Sequence, residues 1–209
     1  MKIEPIEPGA TYHIYNRGNN GQDAFFDAKN YKFFIRKMTS YLPVIGEVYA
    51  YCLMRNHYHI VLRIKEKNEL PEKYQKNPSQ VISNLLNSYV KLINLTTHRT
   101  GSLFEKTFER KRITTEAYLK KVVLYVHLNP EKHKVTDSFL DYPYSSAHHY
   151  KEESSFFINT DYIFNEFGGK ENFWFVHKNK AYQKDTTSEI EDPDCAGVAF
   201  SEDLPGLSG

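Results

Sequence analysis

Residues 47–64 read EVYAYCLMRNHYHIVLRI. Two β-rich runs, 47–54 and 57–64, flank a tight turn around Arg55-Asn56. In the second run the side chains alternate. Tyr58, Ile60, Leu62 and Ile64 share one face, while His57, His59, Val61 and Arg63 share the other. The spacing predicts paired strands whose Tyr58 face is buried in a core. The two histidines then point away from whatever helices cover that face.

The flanking sequence supplies those helices. Upstream, TYHIYNRG (11–18) reads as a strand, with Tyr12, Ile14 and Asn16 on one side and Thr11, His13 and Tyr15 on the other. A Gly/Asn loop follows. Asp27 is a candidate cap for a helix running to Leu42, because Tyr31, Phe34, Ile35, Met38 and Leu42 form one apolar stripe. Downstream, a polar loop (65–78) ends in Asn77-Pro78, a helix start with proline at the first helical position. Ile82, Leu85, Leu86, Tyr89 and Ile93 make a second stripe. GSLFEKTFERKRI (101–113) reads as a basic strand or two short ones. Thr115 to Leu128 reads as a third helix, closed by Pro130, which disfavours helical geometry at Asn129. The order strand, helix, strand, strand, helix, strand, then an extra helix, predicts an α+β, ferredoxin-like (split βαβ) antiparallel sheet with an additional C-terminal helix.

At 209 residues the chain suits one main domain with appendages. The expected division is a domain over 1–150, a helical extension packed on it over 151–184, and an acidic flexible tail over 185–209. Residues 1–184 hold 27 Lys/Arg and 19 Asp/Glu, while 185–209 hold seven acids and no base, so the net charge of +1 conceals a basic body. A basic body suits a polyanionic partner. Two cysteines, Cys52 and Cys195, argue against a disulfide scaffold or a Cys-rich zinc site and for a cytoplasmic location. No apolar run approaches the ~18–20 residues of a membrane span, so no membrane partner is expected.

Two local patterns bear chemistry. His57 and His59, two apart on a strand, present imidazoles that can converge on one ion. A coincidental surface pair is the plain alternative. Tyr125 and Asn129, four apart on the third helix, share a face and offer a phenol and an amide oxygen. There the plain alternative is a core tyrosine with Asn129 capping the helix.

Taken together, YHIYNRGNN near the start, AYCLMRNHYHIVL at 50–62, GSLFEKTFERKRI at 101–113, YVHLNP at 125–130 and DYPYSS at 141–146 resemble the single-tyrosine HUH transposases, REP-associated tyrosine transposases and their insertion-sequence relatives in particular. The motifs occur in the family's order across roughly residues 10–150. His57-Tyr58-His59 matches the HUH element. One departure is Arg55, where the family usually has proline; it places a cation in the turn and removes no catalytic group.

The resemblance implies a metal-dependent single-stranded DNA endonuclease and strand transferase. Tyr125 would be the nucleophile, forming a 5′-phosphotyrosine, with His57, His59 and Asn129 holding Mg²⁺ or Mn²⁺. The partner would be single-stranded DNA, hairpin-forming as in family members, and the protein a monomer or homodimer. Arg17, Arg55, Arg63, Lys106, Arg110, Lys111 and Arg112 are the candidate nucleic-acid contacts. Other readings stand beside this one. A non-catalytic single-stranded nucleic-acid-binding protein on the same fold is the first, though no RRM aromatic signature is present. A nucleotide hydrolase with three alternating strand histidines is the second, and it fails at Val61.

Overall fold

A computed structural model describes residues 4–105, 107–152 and 157–179. The tail at 185–209 and Lys106 lie outside the described residues. The chain runs β1 (Thr11–Arg17), α1 (Ala28–Tyr41), β2 (Gly46–Leu53), β3 (His57–Ile64), α2 (Ser79–Thr96), β4 (Glu109–Ile113), α3 (Glu116–Lys132), α4 (Ala147–Glu152), α5 (Thr160–Glu166) and α6 (Lys170–Lys178). The four strands form one antiparallel sheet in the order β2-β3-β1-β4. This is the α+β, split βαβ arrangement that the element order predicts.

The apolar stripes of α1 and α2 land where the pattern puts them. Phe34 of α1 lies 5.4 Å, ring to ring, from Tyr58 of β3 and 5.0 Å from Tyr89 of α2. Asp27 caps α1 by accepting from the Asn30 N–H at 2.8 Å, a contact of the kind worth ~1 kcal/mol. At α2 the start moves by one residue. Pro78 itself stands in the capping position, and no side chain caps that end.

The larger correction concerns α3. It does not stop at Leu128 but runs to Lys132, with Pro130 inside it. Proline forfeits one backbone donor near the helix end, yet the ladder resumes when the His133 N–H bonds the Asn129 carbonyl at 3.0 Å. Tyr125, Asn129 and Pro130 are all buried, and packing outweighs the local bias against helix before proline. Asn129 therefore has helical geometry, one turn after Tyr125.

Beyond α3 the chain follows the free edge of β2. The Tyr142 hydroxyl donates to the Leu53 carbonyl at 2.7 Å, the Ser146 N–H to the Tyr51 carbonyl at 2.8 Å, and the Asn159 N–H to the Val48 carbonyl at 3.0 Å. The edge that would invite another strand is thereby covered. At the other end of the sheet, Gly18 donates to the Asn56 carbonyl at 2.6 Å. A Cβ at Gly18 would come within 1.8 Å of the Gln22 carbonyl oxygen, so the residue is glycine because the backbones approach too closely for a side chain.

α6 is tied to α3 by a buried polar chain. His177 Nδ1 donates to the Phe173 carbonyl at 2.8 Å, which leaves its Nε2 to accept from His127 Nδ1 at 3.0 Å. His127 Nε2 then accepts from the Ser146 hydroxyl at 2.8 Å. Burial pushes both imidazoles down, His177 to about 3 and His127 well below its ordinary value, the latter helped by neighbouring His177 and His148. Both are therefore held neutral. In the unfolded chain they protonate near pH ~6.5, so below that value the unfolded state binds more protons and is favoured. Stability is expected to be complete above about pH 6.5 and to fall as pH drops toward about 3, each imidazole adding up to ~1.4 kcal/mol per pH unit. Urea titrations at stepped pH check this. His177→Leu should flatten the slope, and an unchanged slope would refute the assignment.

Candidate functional site

The second sheet face carries the histidines. Cross-strand partners in an antiparallel ladder share a face. The pairs Arg17↔His57, Tyr15↔His59 and His13↔Val61, with Cys52↔His59 on the other side, therefore gather His13, Tyr15, Arg17, Cys52, His57 and His59 together. The alternation that buries Tyr58 against α1 and α2 turns this face the opposite way. It is not left to solvent, because α3 packs across β2, β3 and β4. His57, His59, Tyr125 and Asn129 are each at most 1% exposed.

The four predicted residues meet there. The Tyr125 ring lies 5.3 Å from that of His59, edge-on at 80°. His57 and His59 rings are 5.1 Å apart. His57 Nε2 stands 3.0 Å from Asn129 Oδ1. Tyr125 and Asn129 reach these partners together because they are one helical turn apart on α3.

Two residues behind the imidazoles set their orientation. Asn56 Oδ1 lies 2.7 Å from His57 Nδ1. An amide oxygen only accepts, so His57 carries its proton on Nδ1. In the neutral ring Nε2 then presents a lone pair, and it faces the lone pairs of Asn129 Oδ1. Two acceptors at 3.0 Å repel unless a positive species lies beside them or the Asn129 amide turns to present its Nδ2 donor. The Asn129 Nδ2 amide is buried and has no hydrogen-bond partner among the described residues. On the other side, His13 Nε2 meets His59 Nδ1 at 3.0 Å, the rings stacked at 29°. If His59 donates this bond, its Nε2 lone pair is also kept for the site. Ligand imidazoles are held in this way from behind at many metal centres.

Sequence reasoning missed His13, Asn56, Lys132 and His133. His13 shares its strand face with Tyr15, and that alternation was the available signal. Lys132 sets its ammonium 4.9 Å from the centre of the Tyr125 ring, and the His133 ring lies 5.2 Å from that of His57. Both are hidden if α3 is ended at Leu128.

The candidate nucleic-acid contacts do not form one patch. Arg17 stands beside His57 and pairs with Glu105 at 3.4 Å. Arg55 lies in the β2–β3 turn, bound to Asp23 at 2.8 Å. Lys111 shares the histidine face opposite His13. Arg63 is at the far end of β3, paired with Glu66 at 3.1 Å. Arg110 and Arg112 lie on the reverse face, opposite Ile14 and Tyr12, and Arg112 pairs with Glu7 at 2.7 Å.

No protein-family model matches the chain, and no curated protein does either. Among solved structures, a REP-associated tyrosine transposase bound to a REP hairpin is similar, with a TM-score of 0.58 and 15% sequence identity over 73% of this chain and 84% of that one. At this identity the likeness is one of fold. No helix among the described residues is long and apolar enough to cross a membrane. Among those residues no three His, Cys, Asp or Glu side chains converge to hold a metal; the donors gathered here are two imidazoles and an amide oxygen.

The His57 proton position is directly measurable. Long-range ¹H–¹⁵N spectra of metal-free protein should show Nδ1 of His57 protonated, and Asn56→Ala should shift the ring toward the Nε2–H form. A His57 protonated only on Nε2 in the unsubstituted protein would overturn the arrangement.

Proposed function

We propose that the protein is a metal-dependent single-stranded DNA nicking and joining enzyme with Tyr125 as nucleophile, similar in chemistry to tyrosine transposases. The observation that carries this reading is the placement of the Tyr125 ring 5.3 Å from His59, beside a His57–Asn129 contact of 3.0 Å. The solved hairpin-bound transposase of like fold supports it.

The donor set suits a divalent ion. His57 Nε2 and Asn129 Oδ1 lie 3.0 Å apart, so both could bind one cation together. Such an ion also reconciles the two facing lone pairs. His57, His59 and Asn129 would hold Mg²⁺ or Mn²⁺, with Mn²⁺ the better match to imidazole. When bound, it would supply Lewis-acid neutralisation of the scissile phosphate oxygens.

The chain's own groups do the rest. Tyr125 Oη attacks phosphorus, and the bond from phosphorus to the 3′ oxygen breaks. The phenol proton is lost and the departing oxygen gains one, so the products are a 3′-hydroxyl and a 5′-phosphotyrosine. One phosphodiester is exchanged for another, and a second 3′-hydroxyl can reverse the step without ATP. Lys132 holds its ammonium beside the Tyr125 ring, where it would offer positive charge to a phosphate at the phenol. Tyr125 is 1% exposed, so binding of the strand must part the residues that cover the ring.

Two outcomes test this reading. Mn²⁺ at a hundredfold excess over its Kd should stabilise the protein by ~2.7 kcal/mol, a rise of several degrees in Tm that His57→Ala and Asn129→Leu abolish. With a labelled hairpin oligonucleotide bearing single-stranded flanks and Mn²⁺, a covalent protein–DNA band should appear on a denaturing gel. Tyr125→Phe and EDTA should each remove it. A native-gel shift without that band would leave a binding protein and sink the catalytic reading.

A further inference from the structure

DYPYSS (141–146) and the His127 of YVHLNP supply none of the groups of the histidine site, yet the fold joins them to each other. They meet in a hydrogen-bond chain that crosses three elements. The Tyr51 N–H of β2 donates to Ser146 Oγ at 2.8 Å. The Ser146 hydroxyl donates to His127 Nε2 on α3 at 2.8 Å, and His127 Nδ1 donates to His177 Nε2 on α6 at 3.0 Å. His177 Nδ1 ends the chain on the Phe173 carbonyl at 2.8 Å. Ser146, His127 and His177 are fully buried, and their donors run in one direction from the sheet edge to α6.

Apolar packing alone leaves one freedom of α3 open. Residues 122–130 are buried without a break, on every side of the helix. A helix buried all round has no single apolar stripe to fix its rotation about its own axis, and hydrophobic contacts are non-directional. Rotation matters here because Tyr125 and Asn129 must both aim at the imidazoles. Side chains reach roughly 5–6 Å from a helix axis, so a rotation of about 10° moves a tip by about 1 Å. A misplacement of about 1 Å can cost ~10²-fold in rate.

His127 stands midway between Tyr125 and Asn129 in the sequence. Two residues along a helix is a turn of about 200°, so His127 projects from the opposite side of α3. Its two nitrogens are tied to separate bodies, the edge of β2 through Ser146 and α6 through His177. Its ring is flanked edge-on by Tyr150 at 5.0 Å and Phe173 at 6.1 Å. Hydrogen bonds weaken steeply when bent. Two of them on one imidazole therefore resist rotation of the helix in either sense.

We propose that His127, held by Ser146 and His177, is a positioning residue that sets the rotation of α3 and so aims Tyr125 and Asn129 at His59 and His57. The proposal rests on the reading of those four as working groups. It gives the segment after α3 a task in the reaction besides covering the sheet edge.

The test uses the full chain in EDTA, without DNA. NOE spectra of ¹³C-labelled protein should show the contact between the Tyr125 and His59 rings, 5.3 Å apart, assigned with the help of Tyr125→Phe. Ser146→Ala removes one bond to His127, and His177→Phe removes the other while keeping a ring in place. Each should weaken that cross-peak at least threefold in a chain that stays folded. His177→Gln, which returns an acceptor, should recover it at least in part. Tyr142→Phe deletes a bond of the same segment that runs to Leu53 and not to α3, and should leave the cross-peak at full strength. Where the covalent adduct forms, Ser146→Ala and His177→Phe should slow it at least tenfold at saturating DNA, with the half-saturating concentration unchanged. A cross-peak of unchanged strength in both variants, an equal loss in Tyr142→Phe, no cross-peak in the unsubstituted protein, or unfolding of both variants would each overturn the proposal. Neither metal nor cleavage enters the NOE measurement. A missing adduct therefore leaves the proposal standing, and an adduct beside an unmoved cross-peak sinks the proposal alone.

Discussion

The packing of α3 across the histidine-bearing face of the sheet is the contact on which the site depends. A sheet face closed by a helix usually buries aliphatic side chains. Here the covered face presents His13, His57 and His59, and the helix answers with Tyr125 and Asn129. Each buried polar atom left unpaired costs ~1–3 kcal/mol, and Asn129 Nδ2 is such an atom. The opposite face compensates with an aromatic core in which Phe34, Tyr58, Tyr89 and Phe104 meet edge to face or at a tilt. One side of the sheet thus supplies the stability that the other side gives up in holding polar groups together. Such local expense is common at sites built for chemistry.

Much of this is legible from residues alone, for a simple reason. A strand has a period of two, so the alternation from His57 to Ile64 states which side chains share a side before any partner is known. The helical stripes of α1 and α2 work in the same way. What escapes is long-range. Nothing local says that α3, rather than solvent, closes over the histidines, or that His13 lies behind His59. The end of α3 is misread because the rule about residues before proline is a local bias, and burial of Asn129 and Pro130 overrides it. That single misreading conceals Lys132 and His133, which lie on the turn it removes.

Charge shows the limit of composition more sharply. The excess of Lys and Arg in the body suggests a basic surface, yet the predicted cations divide between two faces of the sheet and its two ends, and Arg17, Arg55, Arg63 and Arg112 each have a carboxylate partner. Ion pairs of this exposed kind contribute little to stability. They do fix where guanidinium groups point in the absence of a polyanion.

The close approach of Gly18 to the β2–β3 turn has a consequence for the imidazole beside it. The Gly18 N–H holds the Asn56 carbonyl, while the Ala24 and Phe25 N–H groups both hold that of Arg55 at 2.9 Å. The turn is thereby gripped through its main chain by the loop that follows β1. Asn56 is the residue that dictates which nitrogen of His57 is bare. Added bulk at position 18 would act at a distance, by loosening the amide that decides where one proton resides.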